Sequence, residues 1–363
     1  MHIHILLSSL CFFASISSAA YTLQDDYGDT DSFFDKFDFW SQPDPSAGFV
    51  KYLDQRSARS TGLISADGGS VYIGVDNSST TTTGRSSVRI SSKNRYTKSL
   101  FILDLAHMPA STCGSWPAFW LLGSGVDPVN GEIDIIEGVD RSHTNSMTLH
   151  ATRGCTINNS SFTGKLTTSD CYDHAKGQGL DDGCGISNPD TRSFGTGFNE
   201  IGGGVYATVW TSEGISIWFF GRDTGIPSDI TKGTPDPSTW GLPAGRFAGD
   251  CDFDAHFKNM TMIFNIDFCS AWARGVFDRD PVCSKLADSC RDYVGKNPTA
   301  FGQTYWGING LKVYKNSADQ DSDDANCDAK TVCDHHLHSP KQLNAPPSAM
   351  RARSRRNRVN YFK

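Results

Sequence analysis

Short runs of alternating apolar and polar residues dominate this chain. Segments 71–75, 87–90, 99–105, 118–122, 133–136, 146–151, 205–210, 215–220, 260–266 and 310–314 are rich in β-branched and aromatic residues, and Gly, Ser, Asp or Pro punctuates them. This is the pattern of strands. Segments 205–210 and 215–220, joined by Thr211-Ser-Glu-Gly214, read as a hairpin. No thirty-residue alternation of strand and helix appears, which argues against a parallel sheet. One helix is expected from Asp280-Pro281, with Leu286, Cys290 and Val294 on one face. On a continuous helix Cys283 and Cys290 would stand ~10.5 Å apart, too far to bridge each other, so each would need a partner elsewhere. Strands at this density point to an all-β chain, a single antiparallel sandwich.

Charge and composition narrow the function. Residues 341–363 hold seven Lys/Arg and no acidic residue, so the formal charge of −7 conceals a body at −14. A body that acidic repels phosphates, so no nucleic acid is expected as a partner. Beyond the first twenty residues no apolar run is long enough to span a membrane. The stretch 1–20, MHIHILLSSLCFFASISSAA, reads as a signal peptide, with Ser18 and Ala20 where a signal peptidase favours small residues. Its start lacks Lys and Arg, and a buried N-terminal strand is the competing reading. Removing Cys11 leaves ten cysteines, an even number that suits a secreted, disulfide-bonded and extracellular protein. Cys155, Cys171 and Cys184 are expected to pin the long excursion between 151 and 205. Asn77, Asn158, Asn159 and Asn259 open glycosylation sequons. From residue 319 an acidic stretch, a His335, His336 and His338 cluster and an Arg-rich end read as a disordered tail. Three histidines there are read as incidental rather than as a metal site, and Cys327 and Cys333 as candidates to close a small loop.

The segment that carries chemistry is Gly131-Glu-Ile-Asp-Ile-Ile-Glu-Gly138. On a strand, Glu132 and Asp134 face one way and Ile133 and Ile135 the other. Strict alternation would then turn Ile136 toward the carboxylates and bury Glu137. A β-bulge at Ile135–Ile136 restores Glu137 to the side of Glu132 and Asp134. The two glutamates are then four pleat steps apart, ~13 Å between Cα atoms. Three aligned carboxylates repel one another, and glycoside cleavage uses such a set, one as nucleophile and one as acid/base. The competing readings are a solvated acidic strand and a calcium site. Upstream, Trp116-Pro-Ala-Phe-Trp120 sets two tryptophans near the carboxylates, whose flat faces suit sugar rings. Trp120 is read as a sugar contact, Trp210 and Trp218 as core.

Taken together, GEIDIIEG, WPAFW, GRSSVRI, SMTLHAT with His150, IGGGVYATVWTSEGISIWFF and FCSAW around Trp272 make the chain resemble the fungal endo-1,3(4)-β-glucanases. These are the laminarinase-type members of glycoside hydrolase family sixteen, and the resemblance runs from about Tyr21 to Tyr314. It implies a catalytic domain over 21–318, a concanavalin-like β-jelly-roll sandwich of two antiparallel sheets, and a cleft for β-glucan across the concave sheet. It also implies a retaining mechanism with Glu132 as nucleophile, Glu137 as acid/base and Asp134 assisting, and with no cofactor or metal. Trp116, Trp120, His150, Trp272 and Arg89 fall where such enzymes contact glucose units. A monomer is expected. Two alternatives share the scaffold: a cell-wall transglycosylase and a non-catalytic lectin-like glucan binder. The bulged strand counts against the first, and the intact carboxylates against the second.

Overall fold

Each of the ten segments above forms strand, and most join two large antiparallel sheets. The computed structural model describes residues 21–28, 32–67, 69–125, 130–158 and 160–317. The expected leader, the tail from residue 319, its histidines, and Cys327 and Cys333 lie outside the described residues. In the first sheet the order is Gly245–Phe247, Gly214–Gly221, Gly204–Thr211, Leu100–His107, Tyr305–Asn316, Ser70–Gly74 and Ile64–Asp67, with Tyr21–Asp26 also on Tyr305–Asn316. The second runs Lys165–Leu166, Cys184–Ser187, Ser146–His150, Glu132–Glu137, Ser115–Gly123, Met260–Phe268, Arg89–Ser92 and Phe37–Phe39. The 205–220 hairpin turns at Ser212-Glu213, between the paired Thr211 and Gly214.

Side chains that alternate in facing bring the sheets together. On Met260–Phe268, the side chains of Met260, Met262, Phe264, Ile266 and Phe268 are fully buried in the core between the sheets. Phe264 meets Trp306 of the first sheet edge-on at 5.6 Å. Phe119, Leu121, Ile133, Met147 and Leu149 complete this core from the second sheet, and Phe101, Leu103, Tyr206 and Leu311 from the first. The alternate residues of the second sheet are left to form the opposite face. Trp210 lies in the main core, and Trp218 in a smaller cluster with Leu100, Ile102, Trp240 and Tyr314, as expected of core residues.

Two local expectations need correction. Segment 87–90 is two strands that part at the buried Val88: Arg85–Ser87 pairs in parallel with Val50–Tyr52, whereas Arg89–Ser92 joins the second sheet. The helix expected from Asp280 is broken. Ala271–Arg279 is helical and Asp280 caps its end; Asp280 Oδ1 then accepts from the N–H groups of Val282 and Cys283 to make a tight turn. After a single 3-10 turn at Cys283–Lys285, Ser289 caps a separate helix, Cys290–Lys296, by accepting from Asp292 N–H. Leu286 is 48% exposed rather than on a buried face. Each cysteine does bridge elsewhere, Cys283 to Cys113 and Cys290 to Cys269. The excursion after Ala151 is pinned by Cys171–Cys184 and by Cys155–Cys251.

Candidate active site

Register builds the site. Glu132 stands opposite Leu122, Asp134 opposite Trp120, and Glu137 opposite Ala118, with the shift between Asp134 and Ile136 that marks the bulge. Glu132 and Glu137 are therefore four residues apart on the neighbouring strand, as the unpaired residue requires. Ile133, Ile135 and Ile136 are all buried. Asn145 closes the bulge: its Nδ2–H donates to Ile135 O at 2.8 Å, and its Oδ1 accepts from Glu137 N–H at 2.9 Å. A backbone disturbed by the extra residue thus keeps its hydrogen bonds. On the other side His150 faces Glu132, and Thr148 faces Asp134.

The side chains above this face are tied to one another. The indole N–H of Trp116 donates to Glu137 Oε1 at 2.8 Å. Trp272, on the helix after Met260–Phe268, meets Trp116 edge-on at 5.3 Å. The Trp120 indole donates to Asn265 Oδ1 at 2.7 Å. Arg89 does not reach the carboxylates; its guanidinium lies over the Trp120 ring at 5.1 Å and over that of Trp40 at 5.6 Å. His150 is held from both ends, with Nδ1 2.5 Å from Asp173 Oδ1 and Nε2 3.4 Å from Asp134 Oδ2. Asp134 thus meets His150 as an ion pair. Gly183, at φ +56°, lies against this imidazole: a Cβ there would fall 2.4 Å from Leu149 O and 2.9 Å from His150 Nδ1.

Burial and charge set the proton distribution. Glu137 is held well above the usual carboxylate range, by burial first and by Asp134 and Glu132; Trp116 and His150 oppose the rise. Glu132 is pushed up to about 8, again by burial first and then by the charge of Asp134, whereas the cations of His150 and Arg89 pull it down. Both side chains remain partly exposed. Burial works against a charge on His150, but its hydrogen bonds to Asp134 and Asp173 and the charge of Glu132 outweigh it, so the imidazole is held protonated well above its ordinary range. The set is a graded one: Glu137 carries a proton, and an imidazolium stands beside Glu132. Glu132, Asp134 and His150 each bring one donor atom within 4.8 Å of the others. Within this trio His150 Nε2 faces Asp134 Oδ2 at 3.4 Å while Nδ1 faces Asp173, which ties the cluster together through ion pairs.

All eight residues singled out in the sequence lie on or beside one face. Asp173, Asn265 and Asn145 were missed. Asp173 sits in the disulfide-bonded excursion, where no periodicity marks it; Asn265 could have been found by continuing the alternation along 260–266, which sends it to the carboxylate side.

Comparison with known proteins follows this geometry. Residues 37–314 match the family model described as XgeA-like, catalytic GH16 domain. An endo-1,3(4)-beta-glucanase of Arthroderma benhamiae is 45% identical over 306 residues, 83% of this chain and 66% of that protein. The chain thus spans about two thirds of that relative, and less than half of several longer Aspergillus ones. Among solved structures, the GH16 Laminarinase 16A from Phanerochaete chrysosporium, with 6-O-glucosyl-laminaritriose in donor and acceptor sites, is 37% identical with a TM-score of 0.76, covering 82% of this chain and 100% of that one. An elongating GH family 16 beta-1,3-glucosyltransferase is 40% identical with a TM-score of 0.75, over 81% of this chain and 100% of that one.

Proposed function

The chain belongs to glycoside hydrolase family sixteen, and from that membership we propose that it is a retaining endo-glycosidase that cuts internal β-1,3 bonds of β-glucans and β-1,4 bonds of mixed-linkage glucans. The observation that carries this reading is the bulged strand, which aligns Glu132, Asp134 and Glu137 below an aromatic groove and separates their environments. Both glutamates are raised, Glu137 the further of the two, so Glu132, beside the His150 imidazolium, is the one that gives up its proton first and attacks the anomeric carbon as the carboxylate. Glu137 gives its proton to the departing glycosidic oxygen, and Trp116 N–H then stabilises the carboxylate left behind. In the second half the same carboxylate takes a proton from water as the water attacks the glycosyl-Glu132 ester, releasing a β-anomer. Asp134 holds His150 and adds its charge to the burial that keeps Glu137 protonated. The faces of Trp116, Trp120 and Trp272 suit pyranose rings.

NMR of the first products from laminarin tests the stereochemistry: β-anomer is expected and α-anomer would refute retention. Glu132→Gln and Glu137→Gln should each abolish turnover, and an active Glu132→Gln removes the nucleophile assignment. The likeness to a glucosyltransferase supports a second reading, in which the glycosyl-enzyme passes to a sugar instead of water. Products longer than a laminari-oligosaccharide substrate at high concentration would favour it. We also propose secretion, which the four disulfides among the described residues support, since such bridges persist in oxidising compartments. Asn77, Asn158 and Asn259 are exposed, as glycosylated asparagines must be. N-terminal sequencing of the protein from culture medium, expected to begin near Tyr21, tests this.

A further inference from the structure

The eight tryptophans fall into two groups by exposure. Trp210, Trp218, Trp240 and Trp306 are at most 9% exposed and serve the cores. Trp116 and Trp120 are half-buried on the carboxylate face, Trp272 is 39% exposed against Trp116, and Trp40 is 37% exposed. The first three of this second group stand at the proposed cleft. Trp40 is the one still unexplained.

Register places it. Along Phe37–Phe39, Phe37 is buried and Asp38 exposed, and Phe39 packs on the core, so alternation sends Trp40 to the outer, carboxylate-bearing side. Its backbone N–H donates to Arg89 O at 2.9 Å. From there the paired residues run Arg89 to Asn265, Asn265 to Ala118 and Ala118 to Glu137. Trp40 therefore ends a row that crosses the sheet from the carboxylates, four strand spacings and about 19 Å away. The ring is also fixed. Its indole N–H donates to Pro43 O at 3.3 Å, and Arg89 lies over both it and Trp120. A large apolar ring held rigidly, left exposed and linked by a shared cation to a ring of the cleft is suited to stacking on a saccharide, because little freedom is lost on binding.

We propose that Trp40 is the platform of a distal subsite, which binds a β-glucan chain several units from the scissile bond on the Arg89 side of the groove. The inference rests on the glucanase reading above. The subsite is out of reach of a short oligosaccharide and is occupied by a long one. Its contribution is to affinity for long chains and to the preference for internal cleavage.

The test compares Trp40→Ala and Trp40→Tyr with wild type on β-1,3-linked oligosaccharides of three and seven units. Trp40→Ala should lower kcat/KM on the heptasaccharide about tenfold more than on the trisaccharide, mainly through KM, and Trp40→Tyr, which keeps a stacking face, should recover most of the loss. Equal losses on both lengths, or none on the heptasaccharide, would overturn the subsite. Binding of the heptasaccharide to Glu137→Gln, followed by tryptophan fluorescence with and without Trp40→Ala, separates the two proposals. A wild type that cleaves no β-glucan, together with Trp40-dependent binding, would remove the hydrolase reading and leave the subsite. Normal cleavage with Trp40-independent binding would do the reverse.

Discussion

Replacing Asp173 by Asn isolates the charge behind the His150 imidazolium. Three carboxyl groups face that imidazole: Asp134 at Nε2, Asp173 at Nδ1, and Glu132 across the strand pair. Asn keeps the shape and an acceptor oxygen and removes one of those charges. A hydrogen bond between charged partners contributes about 1.5–3 kcal/mol. That energy corresponds to a fall of roughly 1–2 units in the His150 pKa. The sign follows from the charge: losing an anion disfavours the imidazolium, so His150 deprotonates at lower pH than in wild type. At acid pH both proteins keep the cation, and turnover of laminarin should agree within about threefold. As pH rises, the variant should lose kcat/KM earlier, with its alkaline limb moved toward acid by about 1–2 units. The His150 ring protons, followed by NMR through the same range, should titrate with the limb. Thermal melting at acid pH serves as the control for folding. Superimposable pH profiles with an unmoved His150 titration would refute the argument, and so would a uniform loss of rate at every pH.

Three further outcomes are expected. Trp116→Phe removes the donor that favours the Glu137 carboxylate, so the Glu137 carboxyl titration followed by infrared or NMR should move upward by about 1–2 units; a downward shift would contradict the assigned role. Deleting Ile136 removes the extra residue and restores plain alternation, with Glu132, Asp134 and Glu137 still on one face, so measurable turnover should remain; complete loss in a folded variant would show that the bulge itself aims Glu137. Asp267 is pushed up to about 7, by burial first and then by Asp44, against ~3.9 for a free aspartate. Between those values the folded form binds more protons than the unfolded one, so stability is full near pH 4 and declines as pH climbs through 7; Asp267→Asn should flatten that decline in Tm.

Much of the carboxylate face was legible because it is written in period two. Glu132 and Asp134 announce a face, and Glu137 conflicts with it unless the strand is bulged, so the irregularity could be inferred from the clash itself. Trp116 and Trp120 of WPAFW are four residues apart and so share that face, with Trp120 two residues from the partners of both Glu132 and Glu137. What escaped were residues whose position depends on long-range closure. Asp173 reaches His150 because two disulfides fold the excursion back over the sheet, and its local sequence carries no periodic signal. Trp40 follows a strand of three residues, too short to establish a face by itself. The Asp280-Pro281 pair has the composition of a helix start, yet Asp280 ends the preceding helix and turns the chain, and Ser289 supplies the true cap.

The strand Tyr305–Asn316 has a consequence for how the chain is made. It separates Leu100–His107 from Ser70–Gly74 in the first sheet and also carries the pairing of Tyr21–Asp26. At synthesis rates of about 5–20 residues per second, Tyr21–Asp26 waits roughly 15–60 s for its partner to be made. Through that interval Leu100–His107 can pair with Gly204–Thr211 on one side, while its other edge and its apolar inner face stay open. A translating ribosome therefore carries a half-sheet that invites wrong partners. The nascent chain depends on being shielded until its last strand arrives, and no truncation that removes this strand can leave the first sheet whole.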